Sequence, residues 1–138
     1  MKTKLSRKAI ALLRKVQKTI TEEPNRLLMA DWAGQTRQGT VGCIAGWTAI
    51  LGLTNLPTVI LNGQEMVDVS AIPDVETDAA TLLGIDKKEA EKLFYLKHWG
   101  FGNGWPLEFD EAYGNAKTAQ ERAKVTCDRI DYFIEHVA

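Results

Sequence analysis

The stretch Val41-Gly-Cys-Ile-Ala-Gly-Trp-Thr-Ala-Ile-Leu-Gly-Leu53 constrains this chain more than any other, because no charged residue occurs between Arg37 and Glu65. At helical period Ile44, Trp47, Thr48 and Leu51 share one face, while Gly42, Gly46, Ala49 and Leu53 share another. A helix that is apolar all round has to be buried. Small residues on the second face let another backbone come close, the steric logic of small-xxx-small contacts. The segment is therefore expected to form a central helix, about 43–52, that the rest of the chain wraps.

With 138 residues, 45% hydrophobic and 25% charged, the chain has the makings of a single domain, 1–138, with one real core. The net charge of −1 hides an asymmetry. Residues 1–42 carry nine Lys/Arg against Glu22, Glu23 and Asp31, a balance of +6; the remainder carries eight bases against fifteen acids, −7. Either the basic first helix lies against an acidic body or is simply solvated, or it offers a basic face to nucleic acid or another polyanion. Residues 1–31 lack the interleaved aromatics of a base-stacking surface, which argues against single-strand binding, and nucleic acid is not the expected partner. Cys43 and Cys127 are 84 positions apart and form no disulfide framework or C-x-x-C motif. The N-terminal Lys/Arg residues precede no apolar secretory segment, and the uncharged run at 41–53 is shorter than the ~20 residues that span a bilayer. A reduced, cytoplasmic protein without a membrane partner is the expectation.

The first helix should run from Thr3 or Ser6 to Glu22 on the stripe Leu5, Ala9, Leu12, Leu13, Val16 and Ile20, and stop at Pro24. Arg26 to Trp32 reads as a short helix, and Gly34 to Gly42 as a polar loop. Thr58 to Val69, with Asn62-Gly63 at its middle, reads as a β-hairpin on a type I′ turn. Helices should then follow over Glu76–Leu83, from Asp86 to about Lys97, over 107–113, and from the Thr118-Ala-Gln-Glu121 capping box to the end. The inward residues of that last helix are Ala123, Cys127, Ile130, Phe133, Ile134 and Val137. The fold class is mainly α (α+β): five to seven helices around a buried one, with one hairpin.

The combination Gly39-Thr-Val-Gly-Cys-Ile-Ala-Gly-Trp47, Ala80…Leu83-Gly-Ile85, Leu93-Phe94, Trp105-Pro106 and Arg129-Ile-Asp-Tyr-Phe-Ile134 resembles a group of small bacterial and phage proteins sharing a Cys-Ile-Ala/Gly-Gly-Trp core motif. The resemblance covers roughly residues 27–135. It implies a phage or mobile-element origin, and such small proteins often act on host or defence components.

Several residues are candidates for chemistry. Cys43, near a helix N-terminus where unpaired amides and the dipole favour a thiolate, is the candidate nucleophile, with His98 as its base. The string Gln38-Gly39-x-x-Gly42-Cys43-x-x-x-Trp47 resembles in part the papain-like nucleophile segment, whose tryptophan, however, directly follows the C-G-S-C string. A buried small residue at a helix start is the plainer account. Gly100-x-Gly102-x-Gly104 follows a helix and precedes Trp-Pro, which is not the strand–turn–helix setting of a dinucleotide loop. Its aromatics, Trp99, Phe101 and Trp105, either line a ligand pocket or plug the core edge. The 80–93 segment has helix-turn-helix spacing, but residues 74–92 hold six acids to three bases, which suits a plain αα-hairpin better than a DNA reader. Carboxylate pairs such as Asp110/Glu111 and Asp128/Asp131 read as solvated helix faces, and the spacing of His98, His136 and the two cysteines supports neither a metal nor a cofactor.

The expectation is therefore a non-enzymatic binding protein for a host protein or a small anionic, nucleotide-like signalling molecule. Its contact residues are Arg37, Gln38, His98, Trp99, Phe101 and Trp105, with Arg37 gripping the anion. The alternatives are a Cys43-dependent hydrolase or transferase and a helix-turn-helix DNA binder.

Overall fold

The computed structural model describes residues 5–30, 32–36, 39–100 and 103–137, with the His98 side chain excepted. It contains six α-helices and two two-stranded antiparallel sheets among those residues. The helices are α1 (Arg7–Glu22), α2 (Ile44–Gly52), α3 (Val75–Leu83), α4 (Lys87–Phe94), α5 (Leu107–Asn115) and α6 (Ala119–His136). The strands are β1 (Ala33–Thr36), β2 (Gly39–Gly42), β3 (Thr58–Leu61) and β4 (Gln64–Val67). Mainly α with some β is what the periodicity predicts, and the boundaries follow local chemistry. Ser6, Asp74, Asp86 and Thr118 each accept a backbone N–H from the residue three positions on, at 2.8–3.1 Å, which opens α1, α3, α4 and α6. Gly84, at φ +68, closes α3 in the left-handed conformation that glycine adopts without strain. Glu121 completes its capping box on the N–H of Lys117 rather than that of Thr118.

The α2 segment is central, as its composition requires. Ile44 to Ala49 are buried, and α2 packs against α1 and α3. Its small residues serve close packing, but the backbone they admit at the start of α2 is a strand rather than a helix. A Cβ on Gly46 would lie 1.6 Å from the Trp32 carbonyl oxygen, and one on Gly42 would lie 3.0 Å from the same atom. At the far end, Gly52 faces Leu12 of α1 and Leu82 of α3, whose methyls lie 2.9 and 2.8 Å from where its Cβ would sit.

Two expectations fail beside this contact. Arg26–Trp32 is not a helix: a 3₁₀ turn spans Pro24–Arg26, Leu27 bridges to Gly42 in a parallel sense, and the Leu28 amide donates to the Gly42 carbonyl at 2.9 Å. Gly34–Gly42 is not a polar loop but the hairpin β1–β2, paired Ala33 to Gly42 through Thr36 to Gly39. All four β2 residues are buried, so polar Thr40 lies inside; Gly39 sits at φ +112 with the Arg26 guanidinium passing over it, where a side chain cannot fit. The hairpin β3–β4 forms as expected around Asn62 and Gly63, both at positive φ. The helix from Asp86 ends at Phe94, three residues early, for reasons that also shape the site.

α1 and α6 close the body on one side. There Arg14 pairs with Asp131, and the Gln17 amide donates to Asp131 (2.8 Å) and to the Cys127 carbonyl (2.9 Å). The basic helix thus meets an acidic residue of α6. Among the described residues no helix is long and apolar enough to cross a membrane.

The Gly46–Trp32 approach can be tested by stability. Gly46→Ala is expected to cost at least about 3 kcal/mol in urea unfolding, or to prevent folding, because backbone rather than a side chain must give way. Gly114→Ala, in α5 with nothing within 4 Å of the new methyl, is expected to gain up to about 1 kcal/mol.

Candidate functional site

The site begins with the carbonyls that α4 leaves over. The last carbonyls of a helix have no partner inside it, and its C-terminal end favours positive charge. Tyr95 turns extended (φ −110, ψ 138), and its amide caps the Glu91 carbonyl at 3.0 Å. The next two carbonyls are taken by side chains from far along the chain. Arg129 Nη2 donates to the Lys92 carbonyl at 2.7 Å, and Trp105 Nε1 to the Leu93 carbonyl at 2.6 Å. The Trp105 amide then bonds the Tyr95 carbonyl at 2.8 Å. Trp105 is 1% exposed, so it plugs the core edge, and it lines the first of two concavities.

One concavity is a cationic cleft of about 490 Å³, with Glu89, Lys92, Lys97, Asn103, Arg129 and His136 among its lining residues. Arg129 is 3% exposed and sits on the buried stripe of α6, with its guanidinium carbon 5.6–5.9 Å from the ring centroids of Phe109, Tyr132 and Phe133. Among the described residues its Nε has no hydrogen-bond partner. Burial brings its pKa down to about 10, with Tyr132 and Glu89 pulling the other way, so the group stays cationic at neutral pH. Glu89 pairs with Lys92 at 3.4 Å. The lining therefore holds three Lys/Arg against one Asp/Glu, a surplus of two positive charges among those residues. His136 stacks on Tyr132 at 3.9 Å, with Nδ1 on the Tyr132 carbonyl at 2.8 Å.

The other concavity is an apolar recess of about 170 Å³ lined by Met29, Ala30, Trp32, Cys43, Phe94, Tyr95 and Trp99. Cys43 is 2% exposed and caps α2, its Sγ accepting the Gly46 amide at 3.4 Å and lying 3.8 Å from the Trp32 carbonyl. It is a packed helix cap.

The sequence candidates divide between these places. Cys43 and Trp99 meet in the recess, Trp105 lines the cationic cleft, and the His98 backbone lies in the 3₁₀ turn Lys97–Trp99. Arg37, Gln38 and Phe101, and the His98 side chain, lie outside the described residues. His136 belongs to the cationic cleft, away from the recess that holds Cys43. Asp110 is buried rather than solvated. Arg129 is legible in the sequence: it falls between Thr126 and Phe133 on an otherwise uncharged stripe, a charged residue where the helix faces inward. No protein-family model, curated protein or solved structure matches the chain.

The packing of the thiols leads to a direct expectation. With native protein and iodoacetamide at neutral pH, Cys43 should stay unmodified until the protein unfolds. Cys127 should react slowly, since burial, partly offset by the Thr21 hydroxyl, raises its pKa. Peptide mass mapping reads both. Rapid native labelling of Cys43 would revive it as a nucleophile.

Proposed function

We propose that this is a non-enzymatic binding protein whose ligand is a small anion of the phosphate-bearing, nucleotide-like kind, held in the cleft around Arg129. The observation that carries this reading is the buried guanidinium with an unpartnered Nε at a cleft with surplus positive charge. A buried cation without an ionic partner is costly, and a structure keeps one most readily where something anionic completes it. The Lys92 carbonyl orients Arg129 and the α4 C-terminus offsets part of its charge, yet neither uses the Nε donor. A cleft of about 490 Å³ falls within the usual range for small-molecule sites, roughly 300–1,000 Å³. Arginine suits phosphate because its planar fork can donate two parallel bonds.

Arg37 was the cation expected from sequence; the described cleft transfers that role to Arg129, with Lys92 and Lys97 as supporting charges. A bacterial cytoplasm, a phage or mobile-element origin and a host or defence target belong to the same proposal. The motif resemblance and two cysteines that form no disulfide support it. The DNA-binding alternative has less behind it. α3 and α4 do form an αα-hairpin, but the first turn of α3 carries Glu76 and Asp78, and Asp86 caps α4.

Calorimetric titration with a panel of nucleoside mono- and diphosphates and pyrophosphate tests the proposal. Wild type should bind at least one member, and Arg129→Met should weaken that binding by about 10–100-fold, the worth of one charge-assisted hydrogen-bonded pair. The melting temperature should change by only a few degrees, because removing the buried charge offsets the lost cap on Lys92. Undiminished binding by Arg129→Met, or no binding anywhere in the panel, contradicts the assignment.

A further inference from the structure

The apolar recess has a chemistry of its own. Trp32, Tyr95 and Trp99 line it with rings inclined to one another: the Trp32 and Tyr95 centroids are 5.9 Å apart at 63°, and those of Tyr95 and Trp99 are 6.2 Å apart at 50°. Trp32 is 40% exposed, so the recess has an open wall. Its volume of about 170 Å³ is too small for a nucleotide and equals the liquid share of roughly five or six waters.

The charges around these rings are negative. The Tyr95 hydroxyl donates to Glu76 Oε1 at 2.7 Å, and Glu76 Oε2 is buried with no hydrogen-bond partner among the described residues. Burial first, then the bond to Glu76, then the charges of Glu76, Glu91 and Asp74 push the Tyr95 phenol well above its ordinary pKa. Lys92 and Lys97 line the cationic cleft. Inclined aromatic rings beside uncompensated carboxylates attract a cation too large and too weakly hydrated to need hydrogen bonds. Met29, Ala30 and Phe94 add an apolar floor that suits methyl groups better than a bare ammonium.

We infer that the Trp32–Tyr95–Trp99 recess is an aromatic cage for a methylated ammonium group, with Glu76 supplying the charge. The group can come from a free quaternary amine or from a trimethylated lysine on a partner chain; the chemistry is the same for both. Binding here uses none of the Arg129 cleft, so either assignment can fail while the other stands.

Choline and its neutral isostere 3,3-dimethylbutanol, titrated against the intact protein and followed by the indole N–H resonances in NMR, test the cage. Trp47 Nε1 bonds the Arg26 carbonyl and Trp105 Nε1 the Leu93 carbonyl, so those two indoles serve as internal references. The expected result is a saturable shift of Trp32 and Trp99 with choline, and binding of the isostere weaker by about tenfold. Glu76→Gln, which keeps the Tyr95 partner but removes the charge, should weaken choline several-fold without changing the neutral isostere. Tighter binding of a trimethyl-lysine peptide than of choline identifies a partner chain as the source, and the reverse identifies a small amine. Equal binding of choline and isostere makes the recess a merely apolar pocket and overturns the inference, as does the absence of any shift at Trp32 and Trp99.

Discussion

The close approach of Gly46 to the Trp32 carbonyl holds the rest of the arrangement in place. An apolar helix such as α2 cannot leave any face in water, and on its small face it accepts backbone instead of side chains. That contact seats the β1–β2 hairpin across the first turn of α2, fixes the sulfur of Cys43 as the cap, and projects Trp32 toward Tyr95 and Trp99. The recess is thus a by-product of how a charge-free segment buries itself. Substituting a larger residue at position 46 would displace the strand, the cap and one wall of the recess together.

A second constraint acts at the C-terminus of α4. Its unpaired carbonyls draw Arg129 from α6 and the Trp105 indole from the loop before α5, so three distant segments meet at one helix end. The capping settles two questions together. It places a guanidinium where it would otherwise be too costly to bury, and it seats Trp105 in the lining of the cationic cleft. Within the recess the Cys43 thiol serves as the cap of α2.

Much of this was legible in the residues. The charge-free run marked α2, Asn62-Gly63 marked a hairpin, Gly84 marked the end of α3, and Asp86 and Thr118 marked the starts of α4 and α6. The β1–β2 hairpin escaped because its strands are short and rich in Gly, Gln and Thr, and because β2 is buried on every residue, leaving no alternation to read. Arg26–Trp32 was mistaken for helix because its apolar spacing fits either state, and pairing with Gly42 decided for the extended one. α4 was drawn too long because its end depends on Arg129 and Trp105, which are remote in sequence. Of the loop aromatics, Trp99 lines the recess and Trp105 the cleft, while the buried cation of the cleft is hidden among the inward positions of α6.

The central claim is that Arg129 is an anion receptor, and the resonance of its own Nε–H tests it most directly. In a proton–nitrogen spectrum that group should be visible and slowly exchanging, as its burial requires, and should move saturably as pyrophosphate is added. An Nε–H that stays in place while only exposed lysines such as Lys124 respond would contradict the claim and leave Arg129 as no more than the cap of α4.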